Sequence, residues 1–187
     1  GLTGFTIRVN HRQLLSAMAK AIGAGDQETA MIQTLDKLDK IGRDGVQAEF
    51  IERGFSSDQC AQLWSYIDGA PIPDGAEYDR ALQTVLDLAL NMGVASDRVQ
   101  IDRTLARGLD YYTGPVFEAT LEGDYTGSIS GGGRYDGLIG MFSGKQDVPA
   151  VGVHGDMGTC ETMFSQETCT TSVKVKMLKY RLECETQ

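Results

Sequence analysis

The hydrophobic period of the chain changes once, close to Gly93. Ahead of that point apolar residues recur three and four apart, the spacing of one helix face; beyond it they alternate, the spacing of a half-buried strand. Leu14, Leu15, Met18 and Ile22 form the first helical stripe, ended by Gly23 and Gly25. A second helix is expected from about Asp26, with Ile32, Leu35, Leu38 and Ile41 on one face and Gly42 as its stop. Residues 46–53 read as a short helical turn closed by Gly54, and Ser57 as the cap of a helix bearing Cys60, Leu63, Trp64 and Ile67. Residues 68–75 hold two prolines and two glycines and read as a loop. A longer helix carries Tyr78, Leu82, Val85 and Ala89 up to Gly93.

Strand signals stand on both sides of this helical run. Phe5, Ile7 and Val9 alternate with Thr6 and Arg8, and Asn10 then suits a helix N-cap. Val99, Ile101 and Leu105 alternate, residues 116–121 are a further strand candidate, and Gly123-Asp124 suits a hairpin turn. The order of strand, several helices, then strands predicts an α+β fold. Residues 1–25 and 75–153 form its partial core, and residues 26–74 a separable helical insertion outside the sheet.

Charge and cysteine usage narrow the function classes. The formal net charge is −9 and no basic stripe is visible; the longest basic-leaning stretch runs from Lys174 to Arg181. If the chain serves RNA, the main phosphate contacts are expected elsewhere in a longer parent. Cys60, Cys160, Cys169 and Cys184 include no C-x-x-C pair, with only His11 and His154 to assist, so no metal site is expected. Scattered thiols, no apolar run near about 20 residues and no signal segment point to the cytoplasm. The chain opens on Gly1, which reads as a fragment of a longer protein.

Two segments carry chemistry. The first is Arg107-Gly108-Leu109-Asp110-Tyr111-Tyr112-Thr113-Gly114, followed by Phe117-Glu118. Read as a strand, it puts Leu109 and Tyr111 on one face and Asp110 and Tyr112 on the other, so that one tyrosine lines a pocket while its neighbour packs. A structural Arg–Asp pair with two core tyrosines fits the same residues. The second is Gly131-Gly132-Gly133-Arg134-Tyr135-Asp136-Gly137-Leu138, read as a glycine loop that admits close approach of a ligand, or as a tight turn beside a strand. Its spacing is neither G-x-G-x-x-G nor G-x-x-x-x-G-K-[ST]. The run from Gly140 to Gln146 is one residue short of the latter and has Gln where Ser or Thr is needed.

Together the two segments resemble the two signature motifs of histidyl-tRNA synthetases, the first at all eight positions. Residues 9–15, 35–42 and 148–152 also resemble the family, and the resemblance covers residues 5 to about 153. It implies part of a class II aminoacyl-tRNA synthetase antiparallel-sheet core with a helical insertion. It further implies histidine–tRNA ligase activity, in which histidine is activated with ATP and Mg2+ and then transferred to the histidine tRNA by a parent that is a homodimer. Arg107 matches the catalytic arginine, and a planar, permanently charged guanidinium suits phosphate and carboxylate oxygens together. Tyr111 and Tyr112 match the histidine-binding pair and Tyr135 a further pocket tyrosine, since a phenol can donate to or accept from an imidazole nitrogen. Gly131, Gly132 and Gly133 match the wall beside that ring.

The chain also departs from the family pattern. Segments resembling the first two class-defining motifs are absent from it, and after Val153 a Ser-x-Gly run and an ATP-clasping arginine are replaced by His154-Gly155-Asp156, with Thr159 near the arginine's place. Residues 154–187 are therefore expected to be a tail outside the family, and the chain to be inactive alone. The alternative is a synthetase-like regulatory paralogue that binds histidine without aminoacylation; such paralogues alter the Arg107–Tyr112 run, which is intact here.

Overall fold

The computed structural model describes residues 4–107, 111–121, 128–144 and 148–155. Strand β1 (Phe5–His11) leads into helix α1 (Arg12–Ala21), a 3-10 turn at Gly25–Gln27, and helices α2 (Glu28–Leu35), α3 (Leu38–Glu52), α4 (Ser57–Ile67) and α5 (Ala76–Asn91). Then come β2 (Val99–Ile101), β3 (Pro115–Leu121), β4 (Ser128–Arg134), helix α6 (Asp136–Ser143) and β5 (Val151–Gly155). The five strands form one sheet in the order β2-β1-β3-β4-β5. Its pairings are antiparallel except for β1 with β2, which run parallel. This is the α+β architecture the periodicity predicts.

Several local expectations are corrected. His11, not Asn10, caps α1: its Nδ1 accepts from the Gln13 N–H at 3.1 Å. Asn10 continues β1 and is fully buried, its Nδ2 donating to the carbonyls of Arg103 and Leu105. The helix expected to run unbroken up to Gly42 is interrupted at Asp36 and Lys37, and Gly42, with φ of 69°, joins two helical stretches within α3. Only glycine takes that left-handed backbone without strain. Ser56 rather than Ser57 caps α4, through a reciprocal capping box with Gln59. Leu105 lies outside β2, because the chain leaves the sheet at Asp102, whose N–H still reaches the Val9 carbonyl. The hairpin turn expected at Gly123-Asp124 lies outside the described residues.

Residues 26–74 hold helices and no strand. Their apolar side chains share one core with the rest of the chain: Met31, Leu35, Val46, Phe50 and Leu63 pack in the same cluster as Leu14, Met18, Leu82 and Val9. Ile7, Val9 and Phe117 of the sheet contribute to this cluster, so one sheet face is committed to the helices and the other is left for a site. No helix among the described residues is long and apolar enough to cross a membrane.

The cap at α1 ties stability to pH. His11 stacks on Tyr78 with ring centroids 4.9 Å apart. Burial, and then the charge of Arg134, hold its imidazole below the ordinary range, against an opposing pull from Glu77. A histidine depressed in the folded state contributes stability that is present above its unfolded value of about 6.5 and lost as pH falls through the folded value. Protonation also removes the acceptor that caps Gln13. Urea unfolding is therefore expected to show stability falling as pH is lowered from 7 to 5, with the His11-dependent part absent in His11→Asn, which keeps a cap. Identical pH slopes for the two proteins would rule out this assignment.

Candidate active site

The register decides what faces what. Arg8 pairs with Glu118, Glu118 with Gly131, and Gly131 with His154 across β1, β3, β4 and β5. Two residues along, and so on the same face, Asn10 pairs with Val116, Val116 with Gly133, and Gly133 with Gly152. Directly paired residues share a face. These two rows therefore lie on the face opposite the helical core, and they form the floor of the site.

The glycines in those rows make room for side chains that arrive from elsewhere. A Cβ on Gly131 would overlap Nη1 of Arg107. On Gly133 it would come within 2.8 Å of the Tyr112 ring, and on Gly152 it would overlap the Tyr135 hydroxyl. Arg107, Tyr112 and Tyr135 thus rest directly on the sheet backbone. The three tyrosines pack on one another: the centroids of Tyr111 and Tyr112 are 4.6 Å apart, those of Tyr111 and Tyr135 5.8 Å, and those of Tyr112 and Tyr135 6.4 Å. Two expectations are corrected here. Gly131, Gly132 and Gly133 are not a loop but the interior of β4, and Gly132 faces the other side, toward Phe117 and the Gly152 carbonyl. Tyr111 and Tyr112 are not in a strand, so the alternation that would separate them does not apply and their rings meet. Gly108, Leu109 and Asp110 lie outside the described residues.

The electrostatics centre on two arginines. Glu118 accepts from Nη1 of Arg107 through Oε1 at 3.1 Å and from Nη2 of Arg8 through Oε2 at 2.6 Å. Arg8 also donates to Asp39 at 2.7 Å and to Asp102 at 3.3 Å. Asp102 is itself fixed by the Thr104 N–H at 2.8 Å. Burial would lower the Arg8 guanidinium, but its hydrogen bonds to Asp39 and Glu118 outweigh that and hold it above the ordinary range. A cavity of about 170 Å³ lies against this cluster, lined in part by Arg8, Asp36, Thr104, Ala106 and Glu118. Burial first, then the charge of Glu118, push the Asp36 carboxyl up. The second guanidinium nitrogen of Arg107, Nη2, is 3.2 Å from Nε2 of His154. The Tyr112 phenol is pushed up to about 12, by burial and then by its hydrogen bond with Tyr111, with Arg107 opposing. It therefore keeps its proton at neutral pH.

Arg107, Tyr112 and Tyr135 thus lie against this sheet face at Gly131, Gly133 and Gly152, Tyr111 packs on both tyrosines, and Gly132 faces the other side. Sequence reasoning missed His154 as a neighbour of Arg107, missed Arg8 with Asp39 and Asp102 on the far side of Glu118, and took Glu118 only as a flanking residue. The available signal was charge on the polar side of an alternating strand: Arg8 sits between Ile7 and Val9, and Glu118 between Phe117 and Ala119. Among the described residues no group of three His, Cys, Asp or Glu side chains is placed to hold a metal ion.

The chain is similar to several known proteins. The profile of the family described as histidyl-tRNA synthetase matches residues 1–158. A histidine–tRNA ligase from Aeropyrum pernix is 40% identical over 163 residues, covering 82% of this chain and 37% of the relative. The crystal structure of histidyl-tRNA synthetase from a Nostoc species superposes with a TM-score of 0.69 at 28% identity, covering 87% of this chain and 42% of that one. A structure from Bacillus halodurans, described as an ATP phosphoribosyltransferase regulatory subunit/histidyl-tRNA synthetase, shares the fold with a TM-score of 0.65 at 21% identity, covering 82% of this chain and 42% of that one. The chain spans little more than a third of the length of the curated relative.

Proposed function

The chain belongs to the histidyl-tRNA synthetase family, and from that premise we propose that its polar sheet face is the histidine-activating part of a histidine–tRNA ligase. The observation that carries this reading is the convergence of Arg107 with Tyr111, Tyr112 and Tyr135 over a floor without side chains at Gly131, Gly133 and Gly152. A guanidinium beside three phenols suits an amino acid with a polar aromatic ring and a carboxylate. Tyr112, still protonated at neutral pH, offers a hydrogen-bond donor to a neutral imidazole nitrogen. Tyr111 and Tyr135 close the ring's other sides. Arg107 meets the carboxylate, and later the charge that develops on the α-phosphate when that carboxylate attacks ATP. Gly131 and Gly133 support this by letting Arg107 and Tyr112 lie against the strand, and Gly132 by letting β5 approach.

In the parent protein, ATP with Mg2+, histidine and the histidine tRNA are the substrates of this reading, a homodimer its assembly and the cytoplasm its location. The regulatory alternative, a paralogue that binds histidine without aminoacylation, shares the fold but has no observation of its own in this chain.

Calorimetric titration of the 187-residue chain with histidine is the test. Weak binding is expected, and Tyr112→Phe should weaken it by roughly tenfold, the order of one hydrogen bond lost from a desolvated group. Histidine-dependent exchange between pyrophosphate and ATP is expected near background, because these 187 residues include no match to the family's two ATP-clasping arginines, with Thr159 near the place of one. Binding of phenylalanine as tight as that of histidine would reject the assignment of the pocket.

A further inference from the structure

We propose that Glu118 is a positioning residue that aims Arg107, engaging one guanidinium nitrogen so that the other is presented to the substrate carboxylate. The inference rests on the histidine-site reading above and goes beyond it, since it has Glu118 act through Arg107.

Three observations carry it. Glu118 binds Arg107 through Nη1, at 3.1 Å, while Nη2 meets Nε2 of the exposed His154 at 3.2 Å, a contact that a substrate carboxylate would replace. The Glu118 carboxylate is itself held: its second oxygen accepts from Arg8 at 2.6 Å, and Arg8 is braced by Asp39 and by Asp102. A carboxylate with both oxygens engaged cannot rotate away when a ligand arrives. Finally, all three side chains are largely buried, with side-chain exposures of 14% for Arg8, 16% for Glu118 and 14% for Arg107. The contact is therefore little screened by solvent, unlike a surface pair.

The arrangement also divides the work between charge and direction. With Asp39, Asp102 and Glu118 around Arg8 and Arg107, the cluster is not a net positive patch. A substrate anion is recognised here by the aim of one N–H group rather than by bulk attraction. Preorganised donors of this kind gain from being fixed before the ligand binds.

The test compares histidine with histidinol, which lacks the carboxylate, on the 187-residue chain. The ratio of their dissociation constants isolates the carboxylate contact. A ratio of about tenfold or more is expected for the parent, the order of one charge-assisted hydrogen bond. Glu118→Gln should collapse it toward the value for Arg107→Ala while leaving histidinol affinity unchanged. A purely structural role would weaken both ligands together and keep the ratio, which would overturn the proposal. A second readout needs no ligand: the rate at which phenylglyoxal modifies Arg107, followed by mass spectrometry. It should be slow in the parent and severalfold faster in Glu118→Gln and in Arg8→Gln. Equal rates in all three would overturn the proposal as well. If the parent binds neither ligand, the histidine reading fails by itself and the modification rates still decide whether Glu118 holds Arg107.

Discussion

Replacing Arg8 by methionine is expected to cost the folded chain about 3 kcal/mol, the lower end of the roughly 3–5 kcal/mol typical for removing one partner of a buried ion pair. The low end is the right choice because Asp39, one of its three partners, is 66% exposed and contributes as a surface pair. The cost comes from the other two. Glu118 and Asp102 are 16% and 18% exposed, and without the guanidinium both carboxylates stay in place with less compensation. Methionine fills a similar volume, so little of the loss reflects a cavity. The measurement is urea unfolding at pH 7 of the variant beside the unsubstituted chain. A deficit under about 1 kcal/mol at pH 7 would show that water reaches this cluster more freely than its burial implies.

That cluster marks the boundary of what was legible in the sequence. The helices between Arg12 and Asn91 were readable because each buries one stripe against a common core, and stripes are local in sequence. The strand at Ser128–Arg134 was not, because Ser-Ile-Ser-Gly-Gly-Gly-Arg has almost no apolar alternation. Its strand character comes from its neighbours: β3 and β5 supply hydrogen bonds on both edges, and pairing overrides weak propensity. Gly131 and Gly133 could be recognised as important, but not as the seats of Arg107 and Tyr112, since that depends on which face of a strand each occupies. The same holds for Arg8 and Glu118. They lie 110 positions apart and meet only through the register of β1 with β3. His11 displaced Asn10 as the cap of α1 because the strand runs two residues beyond Val9, where its hydrophobic alternation ends.

Alanine at each of the three central glycines of β4 is expected to give three different outcomes. A Cβ on Gly132 would overlap the Gly152 carbonyl oxygen and lie 2.8 Å from Phe117 Cζ. The first is backbone and cannot yield without loosening β4 from β5, while Phe117 is anchored in the main core. Gly132→Ala should therefore be the most destabilising of the three, by about 3 kcal/mol, the upper range for overpacking a tight site. Gly131→Ala meets first the guanidinium of Arg107, the far end of a long side chain rather than backbone. It should lower the melting temperature less than Gly132→Ala does, and the displaced Arg107 can no longer keep its contact with Glu118. Histidine affinity should fall as far as in Arg107→Ala. Gly133→Ala lies between: its Cβ would be 2.8 Å from both the Pro115 carbonyl oxygen and the Tyr112 ring, so stability and binding both suffer. Thermal unfolding and histidine titration of the three variants, side by side, test the whole arrangement. The decisive contrast is between Gly131 and Gly132. If Gly131→Ala unfolds early while keeping histidine affinity, or Gly132→Ala melts with the parent, the two glycines do not face opposite sides of the sheet and the floor of the site is misassigned.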